Sequence, residues 1–352
     1  MTPRRRNTRT PTAIAGRSLG ICWVGALAGV IALAASACSS AAAPPNPDSS
    51  AYHGLTIAAA QSAYQSYVDV SGTAAAQGNM AQSLAIVGDA QWNIVNEQFT
   101  ALATASTPVP TYRYGQPVFY VPALTTWSEW FMVAVERTTE TGAQSGTTAN
   151  TILLFEKRGP DLPWTVDGSV VLDQPLPAIA RDQAGYAIAL STADSHLLLP
   201  PDVVGASQAA VVDNGTAAPS IAVVADGPLT TGWYQAQAAQ GRSAAAQNLV
   251  YQWLLEGTDY ALFSLQTADG GALVMYGMYL NTTTSHLGLA AGAPIPVPAA
   301  FTPLTGPTEG GAHAVDADWT YEFAAVDPPS AANGAKLQVI ASAGQPTSGR
   351  AY

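Results

Sequence analysis

The residue with the most clearly defined chemistry is Cys38, whose thiol directly follows the small residues at 35–37. Before them the chain has an arginine-rich head and then an apolar run at 19–35. A positive head, a short apolar stretch and small residues before a cleavage point form a secretory signal peptide. A cysteine immediately after that point matches the bacterial lipobox, in which the thiol is acylated and becomes the new N-terminus. We therefore predict a signal peptide at 1–37 and lipid attachment at Cys38.

Two alternatives to lipidation remain open, because Ala35 stands where the lipobox prefers leucine and Leu33 lies two residues earlier. One is cleavage without acylation. The other is an uncleaved anchor, although a spanning helix needs about 20 strongly apolar residues. The arginine pair at 5–6 could indicate twin-arginine export, but the residues at 7–8 are polar. General secretion is therefore the favoured route.

The cysteine content limits the chemistry of the mature protein. Cys22 is removed with the signal peptide and Cys38 is acylated, so no free thiol remains among the two cysteines of the chain. Disulfides, zinc–thiolate sites and a cysteine nucleophile are therefore not expected. Residues 38–53 are small, polar and rich in proline, which predicts a flexible tether between the lipid and the folded part.

The mature chain is strongly acidic. Five of the 13 basic residues lie in the head, so the remainder has eight basic and 24 acidic side chains and a net charge of −16. Nucleic-acid binding by phosphate neutralisation is not expected from such a chain. Anionic headgroups would also repel it, so the lipid would hold it at the membrane, on the extracytoplasmic face of the cytoplasmic membrane.

Histidine and carboxylate spacing gives little indication of a metal site. The four histidines are widely separated in the chain: His53, His196, His286 and His313. None forms a pair of the H-x-x-x-H type, so we predict neither a metal nor another cofactor. Asp316 and Asp318 could form a cation or acid–base site with His313, but the pattern favours a polar turn before the strand at 319–326.

The common catalytic motifs are also missing from the sequence. No G-x-S-x-G, S-x-x-K, P-loop or Rossmann glycine pattern is present, and no catalytic residue is assigned. One enzymatic possibility is an isomerase- or hydrolase-like site in which Glu136 serves as a pocket base beside Tyr276 and Tyr279. The simpler interpretation is that Glu136 faces solvent and pairs with Lys157 or Arg158.

The elements that must position these residues follow two similar patterns. Two helices are predicted at 55–78 and 79–106, the first capped by Thr56 and the second by Asn79. Trp92, Val95 and Phe99 repeat at helical spacing and predict a buried stripe. Strands are predicted at 118–121, 130–138, 151–157 and 164–172. Helices followed by antiparallel strands indicate an α+β fold.

The pattern restarts after a proline-containing linker at 174–184. Short helices are predicted from 200 and at 229–239, followed by strands at 249–253, 261–267, 273–281, 319–326 and 336–340. Asp269-Gly270-Gly271 predicts a hairpin turn. We therefore expect two tandem lobes, at 54–175 and 184–345. An offset of 142 residues aligns the strand at 130–138 with 272–280, which suggests a duplication or one two-lobed fold.

The sequence resembles uncharacterised lipoproteins of high-GC Gram-positive bacteria over most of the mature chain. The resemblance is carried by several short motifs: Val87 to Trp92, Leu154-Phe155-Glu156, Leu280-Asn281-Thr282-Thr283 and Trp319-Thr320-Tyr321-Glu322-Phe323. Each half is also similar to the cone-shaped NTF2-like (cystatin-like) superfamily, where helices pack on a curved, mainly antiparallel sheet. That resemblance implies a fold and no particular activity.

The function expected from these features is binding without catalysis. We predict a membrane-anchored lipoprotein that acts as a binding or scaffold protein of the cell envelope. Its partner would be an envelope protein, a cell-wall component or a small apolar ligand. The alternatives are an enzyme with a lone pocket carboxylate and a purely structural envelope protein.

Overall fold

The structure is a computed structural model that describes residues 54–142, 144–287, 294–295, 297, 301–306 and 312–352. The predicted signal peptide at 1–37, the tether at 38–53, Cys38 and His53 lie outside these residues. All described residues belong to one compact unit. Among them, no helix is both long and apolar enough to cross a membrane.

The first predicted helix is confirmed as α1 (Ile57–Ala76), and Thr56 caps it by accepting a hydrogen bond from the Ala59 amide at 3.1 Å. Asn79 caps α2 (Met80–Leu84) by accepting from the Gln82 amide at 3.1 Å. Local side-chain capping thus determines where both helices begin.

The single helix predicted at 79–106 is wrong, because the chain forms α2 and then a separate helix, α3 (Asp89–Thr104). Between them, Ile86 and Gly88 exchange backbone hydrogen bonds of 3.0 Å with Val166. Tertiary pairing therefore overrides local helix propensity here. The predicted stripe is also partly wrong, since Phe99 is buried but Trp92 is 42% exposed.

The remaining elements occur largely where the sequence predicts them. The other helices are α4 (Pro201–Asn214), α5 (Thr231–Ala245) and the short α6 (Thr302–Thr305). The strands of the first half are β1 (Tyr112–Tyr114), β2 (Val118–Tyr120), β3 (Glu129–Thr139), β4 (Thr148–Lys157) and β5 (Thr165–Leu172). Those of the second half are β6 (Leu249–Gly257), β7 (Phe263–Gln266), β8 (Ala272–His286), β9 (Ala314–Asp327) and β10 (Gln338–Ala351). β1 was not predicted, and β10 extends well beyond the predicted strand.

The ten strands found in the described residues form one curved, open antiparallel sheet, which confirms the predicted α+β class. Its order is β1-β3-β4-β5-β10-β9-β8-β6, and β2 and β7 pair with β3 and β8. The pairing of β1 to β5 in the first half is therefore repeated by β6 to β10 in the second. The predicted turn at Asp269 joins β7 to β8 as expected.

The two halves meet through a short pairing of β5 with β10, at Leu172 with Ala341 and Val171 with Ser342. The connecting segment predicted as a linker packs onto the sheet, since Ile179 is buried in a core formed by strands of both halves. The division into lobes at 54–175 and 184–345 stays a prediction.

Separate apolar cores hold the helices of the two halves to the sheet. One packs α1 against β3 and β4, where the rings of Phe131 and Phe155 stack at 4.6 Å. Another packs α4 against β8 and β9, where Tyr276 stacks on Phe323. Burial of these side chains is the main stabilising contribution that holds the helices to the sheet.

We predict that Phe131→Ala lowers the free energy of unfolding by about 3–5 kcal/mol, because it removes a fully buried ring and leaves a cavity. Chemical denaturation followed by circular dichroism measures this change. Trp92→Ala is the control and should cost clearly less, because its ring is 42% exposed. An equal loss in both variants would contradict the assignment of Phe131 to the core.

Candidate functional site

A gap opens in the sheet where β5 separates from β10, and a carboxyl group fills part of it. Beyond the two paired positions, the Ser169 amide of β5 donates to Glu322 Oε2 of β9 at 2.8 Å. The Glu322 side chain therefore accepts a hydrogen bond that a neighbouring strand would otherwise accept. Gln91 of α3, with its amide nitrogen turned toward this carboxyl, donates to it at 3.0 Å.

Helix α3 lies at this gap and contacts both halves. Asn93 Nδ2 donates to the Tyr260 hydroxyl at 2.6 Å, and that hydroxyl shares a 2.6 Å hydrogen bond with the Tyr279 hydroxyl. Gln345 Nε2 of β10 donates to the Ile94 carbonyl at 2.5 Å. The helix therefore connects strands that do not pair with each other.

Three carboxylates converge on one arginine at the start of α3. The Arg158 Nη2 atom lies 2.7 Å from Asp89 Oδ1, 2.8 Å from Glu156 Oε2 and 2.6 Å from Asp167 Oδ2. One positive charge faces three carboxyl groups, two of which are buried. Desolvation and the nearby Glu156 raise the pKa of Asp167 well above its ordinary value. A proton shared in this cluster would reduce the excess negative charge.

In the described part of the chain, these three carboxylates form the group that could hold a metal ion. One oxygen atom of each lies within 4.8 Å of the other two. Arg158 already supplies a cation between them. Asp167 Oδ1 has no hydrogen-bond donor, and it lies against Gly88, where any Cβ atom would collide with it. The cluster is therefore a close-packed ion-pair centre that joins α3 to β4 and β5.

Glu322 is fully desolvated, and this raises its pKa from 4.5 to about 8. The cavity beside it, between Asp89, Tyr260 and Phe323, has a volume of about 20 Å³. That volume accommodates about one water molecule. Glu322 is thus a structural acceptor in the gap, with no room beside it for an organic substrate.

A larger cavity lies between α1–α3 and the sheet, with a volume of about 90 Å³. Its walls combine apolar and hydroxyl-bearing side chains, among them Tyr67, Ser71, Val95, Phe99, Tyr114 and Ser169. Arg137 of β3 is the charged residue among its described lining residues. A partly apolar cavity with a few convergent polar groups is the usual form of a small-ligand site.

The Arg137 guanidinium is held by two neighbours. It lies 4.4 Å from the centre of the Tyr112 ring, and its Nη1 atom donates to Ser169 Oγ at 3.3 Å. Within the described part of the chain, no carboxylate lies within 4 Å of it. An arginine fixed in a cavity without an ion-pair partner can bind an anionic group.

The second half has a cavity in a comparable position, between α5 and the edge strands β6 and β8. Its volume is about 440 Å³, and Tyr251, Thr284 and Trp319 are among its walls. The described lining contains no charged residue. Both halves therefore have a cavity beside their edge strands, but the charge is found in the first.

The residues singled out from the sequence as a possible catalytic group are not brought together. Glu136 is exposed on β3 and faces Asn150 of β4, and the predicted pairing with Lys157 or Arg158 is wrong. Arg158 pairs with the buried cluster instead, and Lys157 lies over the Trp127 ring. In the second half, the Tyr276 hydroxyl donates to Gln208 Oε1 at 2.8 Å, and Tyr279 bonds Tyr260.

The histidine and aspartate predictions have mixed outcomes. The ring of His286, at the end of β8, lies 6.3 Å from the ring of His313, which directly precedes β9. The polar turn predicted at Asp316 and Asp318 is wrong, because both lie within β9. Thr283 and Tyr352 donate hydrogen bonds to Asp316.

Arg137 was not predicted as a site residue, although the periodicity of β3 contains a signal for it. Residues 131, 133, 135 and 137 alternate on one face of β3, and the first three are buried under α1. Extending this alternation by one step places Arg137 on the helix-covered face. Asp167 and Glu322 could not be found in this way, because their environment depends on contacts between segments distant in sequence.

Comparisons with known proteins identify relatives but no activity. A family model described as a domain of unknown function (DUF8094) matches residues 53–348. An uncharacterized lipoprotein of Streptomyces coelicolor is 28% identical over 162 residues, which are 45% of this chain and 45% of that protein. An uncharacterized lipoprotein of Streptomyces avermitilis is 26% identical over 162 residues, which are 45% of this chain and 44% of that protein.

The matched region therefore spans less than half the length of these curated relatives. No solved structure matches the chain. The matches confirm the resemblance to uncharacterised lipoproteins of high-GC Gram-positive bacteria.

We predict that the protein becomes less stable as the pH rises from about 5 to 8.5. The pKa of Glu322 is raised from 4.5 to about 8, so across this window the folded protein retains a proton that the unfolded chain releases. The free energy of unfolding then decreases with pH, by up to about 1.4 kcal/mol per pH unit for each such proton.

Chemical denaturation at a series of pH values measures this slope. Glu322→Gln should make it shallower, because glutamine keeps the hydrogen bond from the Ser169 amide but does not titrate. Glu136→Gln, at an exposed position on β3, is the control and should keep the wild-type slope. A Glu322→Gln slope equal to that of wild type would refute the role of Glu322.

Proposed function

This chain belongs to the DUF8094 family, and we propose that it is a lipid-anchored extracytoplasmic protein that binds a small ligand without transforming it. The anchor would be the acylated Cys38, released from the signal peptide at 1–37. The relatives named lipoproteins support this part of the proposal. Stable anchoring needs two or more acyl chains, which a lipobox cysteine would receive.

The observation that carries the binding function is the cavity of about 90 Å³ under α1–α3, with Arg137 in its wall. Native interiors are close-packed, and voids larger than a water molecule are few. A polar cavity with a cation therefore favours a binding site over a purely structural protein.

The absence of catalysis is inferred from the position of the carboxyl groups. A general base must lie within hydrogen-bond reach of its substrate. Glu322 has a strongly raised pKa, but the cavity beside it holds about one water molecule. Glu136 is exposed and lies on β3, far in the strand order from Tyr276 and Tyr279 of β8. These positions favour binding over the enzymatic alternative.

We predict that Cys38→Ala moves the protein from the membrane fraction to the soluble extracytoplasmic fraction. Loss of the thiol removes the site of acylation, and a chain of net charge −16 has no other attraction to anionic lipid. Cell fractionation with immunoblotting measures the distribution. Cys22→Ala is the matched control and should leave it unchanged. Full retention of the Cys38→Ala protein in membranes would exclude the lipid anchor.

We also predict that a small molecule co-purifies with the wild-type protein and is lost from Gly72→Leu. Gly72 lines the cavity, and a Cβ atom built on it meets no other atom within 4 Å. A leucine there would occupy ligand space while favouring the helix by about 1 kcal/mol. Native mass spectrometry of protein from its own membrane detects the ligand.

Thr73→Leu serves as the control for this experiment, because Thr73 is the next residue of α1 and is exposed. It should retain the ligand. The proposed function is contradicted if wild-type protein carries no small molecule, or if Gly72→Leu retains it.

A further inference from the structure

We propose that the cavity under α1–α3 recognises the carboxylate group of its ligand through Arg137. The inference rests on the proposed function as a binding protein and assigns the class of ligand. The ligand would have one carboxylate and a short apolar stem, as a free acid or as the carboxyl end of a longer molecule.

The charge balance around the basic residues favours an anionic ligand. Arg113 lies 3.6 Å from Glu140, Arg158 binds three carboxylates, and Arg181 donates to two backbone carbonyls. Arg137 has no carboxylate within 4 Å in the described residues, which is also true of Arg181, Arg242 and Arg350, but Arg137 lies in the wall of a cavity. Its positive charge is therefore available to an external anion.

Two neighbours hold the Arg137 guanidinium in place, which favours binding of a carboxylate. The Tyr112 ring and Ser169 Oγ contact the guanidinium, while the hydrogen bond to Ser169 uses one of its five N–H groups. A guanidinium fixed in this way loses little conformational freedom when a ligand binds. Its planar pairs of N–H groups match the two oxygens of a carboxylate.

The polar groups near Arg137 are also compatible with a bound anion. Desolvation raises the pKa of Tyr67 and of Tyr114, so both phenols stay protonated. Because the two hydroxyls hydrogen-bond each other, one phenolic O–H is left to donate to an anion. Glu322 interacts with Arg137 electrostatically, but its pKa of about 8 leaves it mostly neutral at pH 7. No Asp or Glu is among the described residues that line the cavity.

The size and lining of the cavity restrict the ligand further. A volume of about 90 Å³ fits a carboxylate with a few carbon atoms, and Val87, Val95 and Phe99 provide apolar contact for the stem. A phosphate carries more negative charge than one guanidinium balances, and the lining offers no second cation. The described lining of the cavity in the second half contains no charged residue, so among the described residues the positive charge belongs to this site and not to both halves.

Isothermal titration of the full-length acylated protein in detergent tests the proposal. The probes are butyrate, its uncharged isostere butyramide, N-acetyl-alanyl-alanine as a peptide carboxyl end, and inorganic phosphate. We expect a carboxylate probe to bind at least about tenfold more tightly than butyramide, which lacks the charged hydrogen bond to Arg137. It should also bind at least about tenfold more tightly than phosphate, whose additional negative charge one guanidinium does not balance. Comparison of the affinities for butyrate and for the dipeptide distinguishes a ligand that is a free acid from one that is the carboxyl end of a longer molecule.

Variants then assign the binding to Arg137. Arg137→Gln should lower the affinity for the carboxylate probe by about tenfold to a hundredfold, and Arg137→Lys should retain part of that affinity. Arg113→Gln, on the adjacent strand and exposed, is the matched control and should bind as wild type does. Thermal unfolding of each variant verifies that it is folded.

Four results would overturn the proposal. They are no saturable binding of either carboxylate, equal affinity for butyrate and butyramide, tighter binding of phosphate, and unchanged binding in folded Arg137→Gln. An uncharged molecule found in the cavity by native mass spectrometry would also overturn it, and would leave the proposed binding function intact.

Discussion

Where β5 separates from β10, backbone amides lose their strand partners and carboxyl groups lose their water. Both losses cost free energy unless a partner is present. Glu322 accepts the Ser169 amide at 2.8 Å, and Arg158 lies within 2.8 Å of three carboxylates at the start of α3. Helix α3 is thereby attached to both halves. The cavity that contains Arg137 exists because α3 is held at this gap instead of the strands continuing to pair.

The repeated strand order makes the two halves comparable. In each, the first two strands both pair with the third, and the cavity lies beside the edge strand. The paired residues at the edges differ in chemistry, because Tyr114 lies opposite Arg137 in the first half and Tyr251 lies opposite Thr284 in the second. One framework thus presents a cavity with a charged residue and a cavity whose described lining has none. Substitution within the strands, without change of topology, is sufficient to produce this difference.

The sequence predicted the fold class and most elements because capping residues, alternation and turns are local. Thr56 and Asn79 cap helices as predicted, and Asp269-Gly270-Gly271 forms its hairpin. The break between α2 and α3 could not be predicted, since it depends on Val166, which lies about 80 residues away. The buried carboxyls were missed for the same reason. Glu156 and Glu322 belong to the short motifs that carry the resemblance to uncharacterised lipoproteins, but only the tertiary structure reveals that their carboxyl groups are desolvated.

The position of β10 has a consequence for the order of folding. This strand is synthesised after every other strand of the described sheet, yet it lies between β5 and β9. Until it arrives, the strands of the first half have no pairing partner in the second. The two halves therefore remain unjoined at the centre of the sheet during synthesis, and the sheet closes only when β10 becomes available.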